Sequence, residues 1–230
     1  MSIRLSVVIP ALNEAQALPL LLADLAPLRQ AGAELIVVDG GSGDATVELA
    51  LLQADHVLQA GSGRARQMNA GAAQAQGEYL WFVHADTRVG EPALRRLLEV
   101  LDRAPLWGRF DVRLSGRGLA LRLIGGMISL RSRVTGIATG DQGIFVARRA
   151  FEALGGYANL PLMEDIELCR RLKLKARPRC LRPPLLTSSR RWERHGIWRT
   201  VWLMWRLRLA YYCGADPAEL ARRYSGGSSS

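Results

Sequence analysis

Leu35-Ile-Val-Val-Asp39-Gly-Gly-Ser-Gly-Asp44 decides the fold. A short apolar run closed by a glycine-rich turn reads as a buried strand. A carboxylate at the C-terminal end of a strand in an open α/β sheet faces the crevice where ligands bind. The same signature returns in Tyr79-Leu-Trp-Phe-Val-His-Ala-Asp86. A third acidic signpost, Met163-Glu-Asp-Ile-Glu-Leu-Cys169, opens a helix. Two strand-end carboxylates and one on a separate element suggest a nucleotide grip, a metal grip and a base.

Outward from Asp39, the pattern alternates. Leu5–Ile9 reads as a strand and 15–30 as a helix with Leu18, Leu21, Leu22 and Leu25 on one face. Asp44 is a suitable N-cap for a helix over Ala45–Gln53, which leaves Asp39 without an evident structural duty. A short strand over 54–58, an Ala-rich helix over 64–76, the strand 79–83 and a helix over 92–103 follow. Such alternation marks a parallel sheet flanked by helices. After Pro105 the pattern changes: a strand at 107–114, a helix at 119–129, a loop Gly140-Asp-Gln-Gly143, a strand at 144–147 and a helix at 164–174. The stretch 181–186 holds two prolines, which suits an edge or a loop. The division expected is one domain over 1–186, with a nucleotide half (1–104) and an acceptor half (105–186). A basic segment (187–224) and a disordered tail (225–230) complete it.

With 230 residues, 49% of them hydrophobic, the chain can bury one large core. Residues 1–169 carry 16 basic and 18 acidic side chains, whereas 170–230 carry 15 and 3. The net charge of +10 therefore belongs to the C-terminal quarter. Such a segment can meet nucleic acid, an anionic membrane or phosphate-bearing substrates. Nucleic acid is not expected as a partner, because the charge avoids the nucleotide half and no recognised nucleic-acid motif is present. The start Met1-Ser-Ile-Arg-Leu runs into a strand without a signal peptide. The three cysteines lack metal spacing. Together these point to a reduced cytoplasmic setting, with attachment at the inner face of the membrane as an option.

Val7-Val-Ile-Pro-Ala-Leu-Asn-Glu14, the Val-Val-Asp39 turn, the Asp86 motif and Glu164-Asp165, in this order over 3–175, resemble family 2 glycosyltransferases of the GT-A fold. The small single-domain bacterial type is the most similar. The resemblance implies an α/β GT-A fold and inverting transfer of a sugar from a nucleotide-diphosphate donor, with UDP the favoured carrier, to an unassigned hydroxyl. It implies that Pro10, Asn13 and Glu14 shape the base and ribose pocket and that Asp39 meets the pyrimidine edge. It places Arg66 and Asn69 beside the nucleotide, Asp86 on a divalent metal and Asp165 as the general base. A nucleotide-sugar-binding protein without activity is one rival reading, and a basic nucleic-acid-binding protein is a second, less favoured one.

Individual positions carry alternatives. Gly40-Gly41-Ser42-Gly43 lacks the G-x-G-x-x-G spacing, which disfavours a dinucleotide fold. His84 replaces the first carboxylate of the family's usual Asp-x-Asp. In a strictly extended strand it shares a face with Asp86, which favours Mn²⁺ over Mg²⁺. The other reading of His84 is a wall of the ribose pocket. Glu164 and Asp165 point about 100° apart on a helix, so one can face the acceptor while the other caps or pairs. Asp141 and Gln142, between glycines, form either an acceptor loop or a simple turn. Arg191-Trp192 resembles the end of a motif of processive synthases, with Ser188 in place of its Gln, and adds acceptor-side candidates. His195 is a further candidate metal ligand. Trp198, Val201, Trp202, Trp205, Leu209 and Tyr212 share one helical face. That face suits either a membrane interface, serving a lipid-linked acceptor, or packing against protein. Arginines interrupt the stretch, so it is no transmembrane span.

Overall fold

The computed structural model describes residues 4–116 and 118–226. The first half alternates as expected: β1 (Leu5–Ala11), α1 (Leu18–Gln30), β2 (Glu34–Asp39), α2 (Thr46–Leu51), β3 (His56–Gln59), α3 (Arg64–Gln74) and β4 (Tyr79–Phe82). Then come β5 (Thr87–Arg88), α4 (Glu91–Leu101), β6 (Trp107–Leu114) and α5 (Leu119–Thr135). β7 (Phe145–Ala147), α6 (Arg148–Ala153), α7 (Glu164–Lys175) and β8 (Arg179–Thr187) complete the second half. The C-terminal segment is helical: α8 (Arg190–His195), α9 (Ile197–Tyr212) and α10 (Pro217–Gly226).

The strands form one sheet in the order β3-β2-β1-β4-β7-β6-β8-β5. β3, β2, β1 and β4 are parallel. β7 enters antiparallel beside β4 and β6 pairs antiparallel with β7. Successive side chains of a strand point to opposite faces, and both faces are covered here. Val7, Ile9, Leu35, Val37 and Trp81 pack with Leu18, Leu22, Leu25, Leu94 and Leu97 of α1 and α4. Val8, Ile36, Val38, Leu80 and Phe82 pack with Met68, Ile166, Leu172 and Leu207 on the other side. Continuous apolar strands are what two covered faces require.

Several expected boundaries shift for physical reasons. α1 starts at Leu18 because Glu14 to Ala17 form a turn, with the Ala17 and Leu18 N–H groups donating to the Glu14 carbonyl. α5 runs on to Thr135, since nothing breaks it before Gly136, which closes it at φ 69°. The proline-bearing stretch is part of a strand and edge-like along its prolines, since β5 covers β8 only at Leu186 and Thr187. β8 lies between β6 and β5, with Pro183 and Pro184 in a register break between the Phe110↔Leu181 and Val112↔Leu185 pairs. α10 reaches Gly226, so the first two residues assigned to the tail are helical, while 227–230 lie outside the described residues.

Candidate active site

The loops after β1 and β2 are knitted by side chains. Asp39 is buried at the end of β2. Its carboxylate accepts the Gly41 N–H at 2.9 Å and the Ser42 N–H at 3.0 Å, and the Ser42 hydroxyl donates to it as well. This corrects the expectation that Asp39 has no structural duty: it shapes its own turn in the manner of an Asx turn. Asp44 does not occupy the N-cap of α2, where Ala45 stands. It accepts the Ala15 and Thr46 N–H groups and so joins this turn to the loop after β1. Asn13, at φ 55°, joins the same loops: its N–H donates to Ser42 Oγ and its side-chain oxygen accepts the Gly43 N–H. Pro10 is buried in β1 opposite Val38, beyond the last residue of β1 that pairs with β4.

Beyond β4 the chain turns at once, with the Thr87 N–H donating to the His84 carbonyl at 3.0 Å. The extended geometry that would align His84 with Asp86 is absent. His84 Nδ1 lies 3.3 Å from Asp141 Oδ1. Asp86 instead faces Arg190, whose Nη2 stands 3.5 Å from Asp86 Oδ2 and 2.8 and 3.0 Å from the two Glu14 oxygens. Two carboxylates thus converge on one cationic nitrogen. No group of three His, Cys, Asp or Glu side chains able to hold a metal occurs among the described residues. Arg191 and His195 have side chains outside the described set.

The third signpost sits at the start of α7, after Met163 in the left-handed region at φ 70°. Asp165 is oriented by two backbone donors: the Gly140 N–H at 2.8 Å and the Ile166 N–H at 2.7 Å. Gly140 is needed there, since a Cβ would come within 2.5 Å of the His84 ring. Glu164 is buried; burial first, and the neighbouring Asp165 charge second, push its carboxyl above the ordinary range. At Asp141 burial acts in the same direction, but the hydrogen bond and charge of His84, with Arg64 and Arg208, outweigh it and hold that carboxyl low.

Glu14, His84, Asp86, Asp141, Glu164, Asp165 and Trp192 line one crevice of about 910 Å³, within the range of ligand sites. Other candidates are occupied elsewhere. Gln142 is fully buried, donates to the Phe110 carbonyl and accepts the Thr139 N–H, so it stabilises its turn and does not reach an acceptor. The Asn69 amide is spent on both backbone groups of Tyr157. Arg66 reaches Asn159 at 3.1 Å, so both side chains hold the 157–159 loop against α3. Sequence reasoning missed the far wall. Leu123, Met127 and Arg131 of α5, and Trp205, Arg208, Leu209 and Tyr212 of α9, line the same crevice. The four-residue spacing of Leu123, Met127 and Arg131 is a one-face helical signal present in the sequence.

No curated protein matches the chain by sequence. Among solved structures, S. aureus TarS 1-349 in complex with UDP is similar at 22% identity and TM-score 0.66, over 81% of this chain and 60% of that one. Glucosyl-3-phosphoglycerate synthase from Mycobacterium tuberculosis, with Mn²⁺ and UDP-glucose, is similar at 20% identity and TM-score 0.55, over 80% of this chain and 69% of that one. The chain therefore spans about three-fifths of the first of these, and the likeness is one of fold, GT-A. The family model described as glycosyl transferase family 2 matches residues 6–151. On that match, which takes in both strand-end carboxylates and more than half of the sequence, the chain belongs to glycosyl transferase family 2.

Proposed function

We propose that this chain transfers a sugar, with inversion, from a nucleotide-diphosphate donor to a hydroxyl acceptor, with Asp165 as general base. The observation that carries this reading is Asp165 itself. It is half-buried, aimed by the Gly140 N–H, and lines the same crevice as Asp86 and Glu14. An inverting displacement needs a positioned carboxylate to take the acceptor proton as the sugar is attacked. UDP is the proposed carrier, as UDP is bound in the TarS and synthase structures.

The carboxylates of Glu14 and Asp86 fit a divalent cation, since they already hold a cationic group between them. Such an ion would neutralise the charge on the departing diphosphate. Two oxygen-donor side chains suit Mg²⁺ and Mn²⁺ alike, so the preference for Mn²⁺ expected from His84 loses its reason. Arg190 can move from these carboxylates to the diphosphate, which it would bind as a charge-assisted fork.

The acceptor side of the crevice is walled by Leu123, Met127, Trp205 and Leu209. These residues belong to helices whose outer faces are also apolar, which favours a lipid-linked acceptor met at a membrane surface. Asp165→Asn tests the base. Donor binding should survive, because Asp165 is held by the Gly140 and Ile166 N–H groups whereas Glu14 and Asp86 meet Arg190, while transfer should fall roughly 10²–10⁴-fold. Turnover within a few-fold of wild type at unchanged donor affinity would remove Asp165 from the mechanism.

A further inference from the structure

We propose that Arg131 and Arg208 form an anion subsite in the crevice, built to hold the phosphate of an amphiphilic acceptor. Arg131 projects from α5 and Arg208 from α9, and both line the cavity that contains Asp165. Arg131 Nε and Nη2 are closed to solvent and have no hydrogen-bond partner among the described residues. A buried guanidinium is ordinarily paired, because an unpaired buried charge is costly. Here the opposite holds. Burial, and then the like charge of Arg208, push the Arg131 guanidinium down to about 10, with the Asp165 charge acting against them. Two neighbouring cations on one cavity, one of them with unpaired donors, form an arrangement that an anion completes. The planar guanidinium fork matches phosphate oxygens.

The surroundings define the rest of the ligand. On α5, Leu123 and Met127 precede Arg131 at four-residue intervals. On α9, Trp205 and Leu209 flank Arg208. The cations therefore sit within apolar walls, and Asp165 supplies a proton acceptor in the same space. A phosphate on an apolar chain, with a hydroxyl near the phosphate, satisfies all three features. Inorganic phosphate would use only the first. The assignment of this ligand as acceptor rests on the transferase reading, whereas the anion subsite itself does not.

The test separates them. Titration calorimetry would compare octyl phosphate, octanol and inorganic phosphate on the wild-type chain, on Arg131→Met and on Arg208→Gln, with UDP binding measured on the same preparations. Octyl phosphate should bind at least roughly tenfold more tightly than either inorganic phosphate or octanol. Both variants should lose roughly tenfold or more of that affinity and keep UDP affinity. Arg131→Met should melt no lower than wild type, because it removes an unpaired buried charge. Equal affinity for inorganic and octyl phosphate would assign the site to free phosphate and overturn the amphiphile. Unchanged octyl phosphate binding in both variants, or a clear fall in melting temperature for Arg131→Met, would overturn the subsite. Loss of UDP binding in the wild-type chain with octyl phosphate binding intact would sink the transferase reading alone.

Discussion

At the scale of single residues, adjacent carboxylates have been given different environments. Asp165 is half-exposed and fed by two backbone donors, whereas Glu164 is buried beside it with its carboxyl raised. A carboxyl raised in the folded state supports folding fully below its unfolded value, near 4.5, and loses that support as pH climbs through the folded value. Glu164→Gln should therefore melt higher than wild type near pH 8, with the gap closing toward about pH 4. A gap constant across that range, followed by calorimetry, would refute the assignment. Which of the two acids stays solvent-facing was not legible in their order, because it depends on the Gly140 turn folding over Asp165 from 25 residues away in sequence. Asp39 shows the same limit. Its position after a strand was readable, but the three hydrogen bonds to its carboxylate arise from the path taken by Gly41 and Ser42.

At the scale of elements, α5 forms a wall of the crevice, and one carboxylate anchors it. Asp111 of β6 meets Arg109 of its own strand, Arg133 of α5 at 2.7 Å and Arg182 of β8 at 2.9 Å. Burial pushes the Asp111 carboxyl up, but Arg133, Arg182 and Arg109 outweigh it and hold it below the ordinary range. Ser129 adds a second tie, accepting the Val112 N–H at 3.0 Å while its carbonyl accepts from Arg109. Asp111→Asn leaves the fully buried Arg109 without its anion, which should cost about 3–5 kcal/mol of stability. Stability at Asp111 is present above its unfolded value and lost as pH falls through the depressed one. Denaturant melts at neutral pH check the magnitude; a loss under about 1 kcal/mol would show that the cluster does not anchor the helix. The parallel strands were readable because both faces are buried, so their apolar runs are continuous. The extent of α5 was not, because its outward stripe of Leu119, Leu123, Met127, Leu130 and Val134 defies the rule that exposed faces are polar.

At the scale of the molecule, two apolar stripes face solvent together. Leu119 of α5 is 80% exposed and Trp202 of α9 is 65% exposed. Each helix carries three arginines and no acidic residue. Arg206 lies 4.8 Å over the Trp202 ring, which places cation and aromatic side by side. No described helix is long and apolar enough to cross a membrane. An arginine-bearing surface with tryptophans at its face suits the boundary of an anionic bilayer. The chain should float with anionic vesicles and stay behind with neutral ones. Leu119→Glu with Leu130→Glu and Trp202→Glu, all outside the crevice lining, should abolish flotation and leave UDP binding intact. Light scattering that shows a dimer dissolved by these same substitutions, with flotation unaltered, would identify a second copy as the occupant.

The family match ends at residue 151, and the helix bearing Asp165 begins at 164. The match thus covers the strand-end carboxylates and stops short of Asp165, α8 and α9. The match takes in β1 to β7, whereas α7, α8 and α9, beyond it, supply much of the crevice lining. A cut after β7 would part β8 from β6 and α7 from the core under β1, β2 and β4. Grafting a different C-terminal part at that point should therefore cost stability and, because Arg190 leaves with it, weaken the grip on the nucleotide diphosphate.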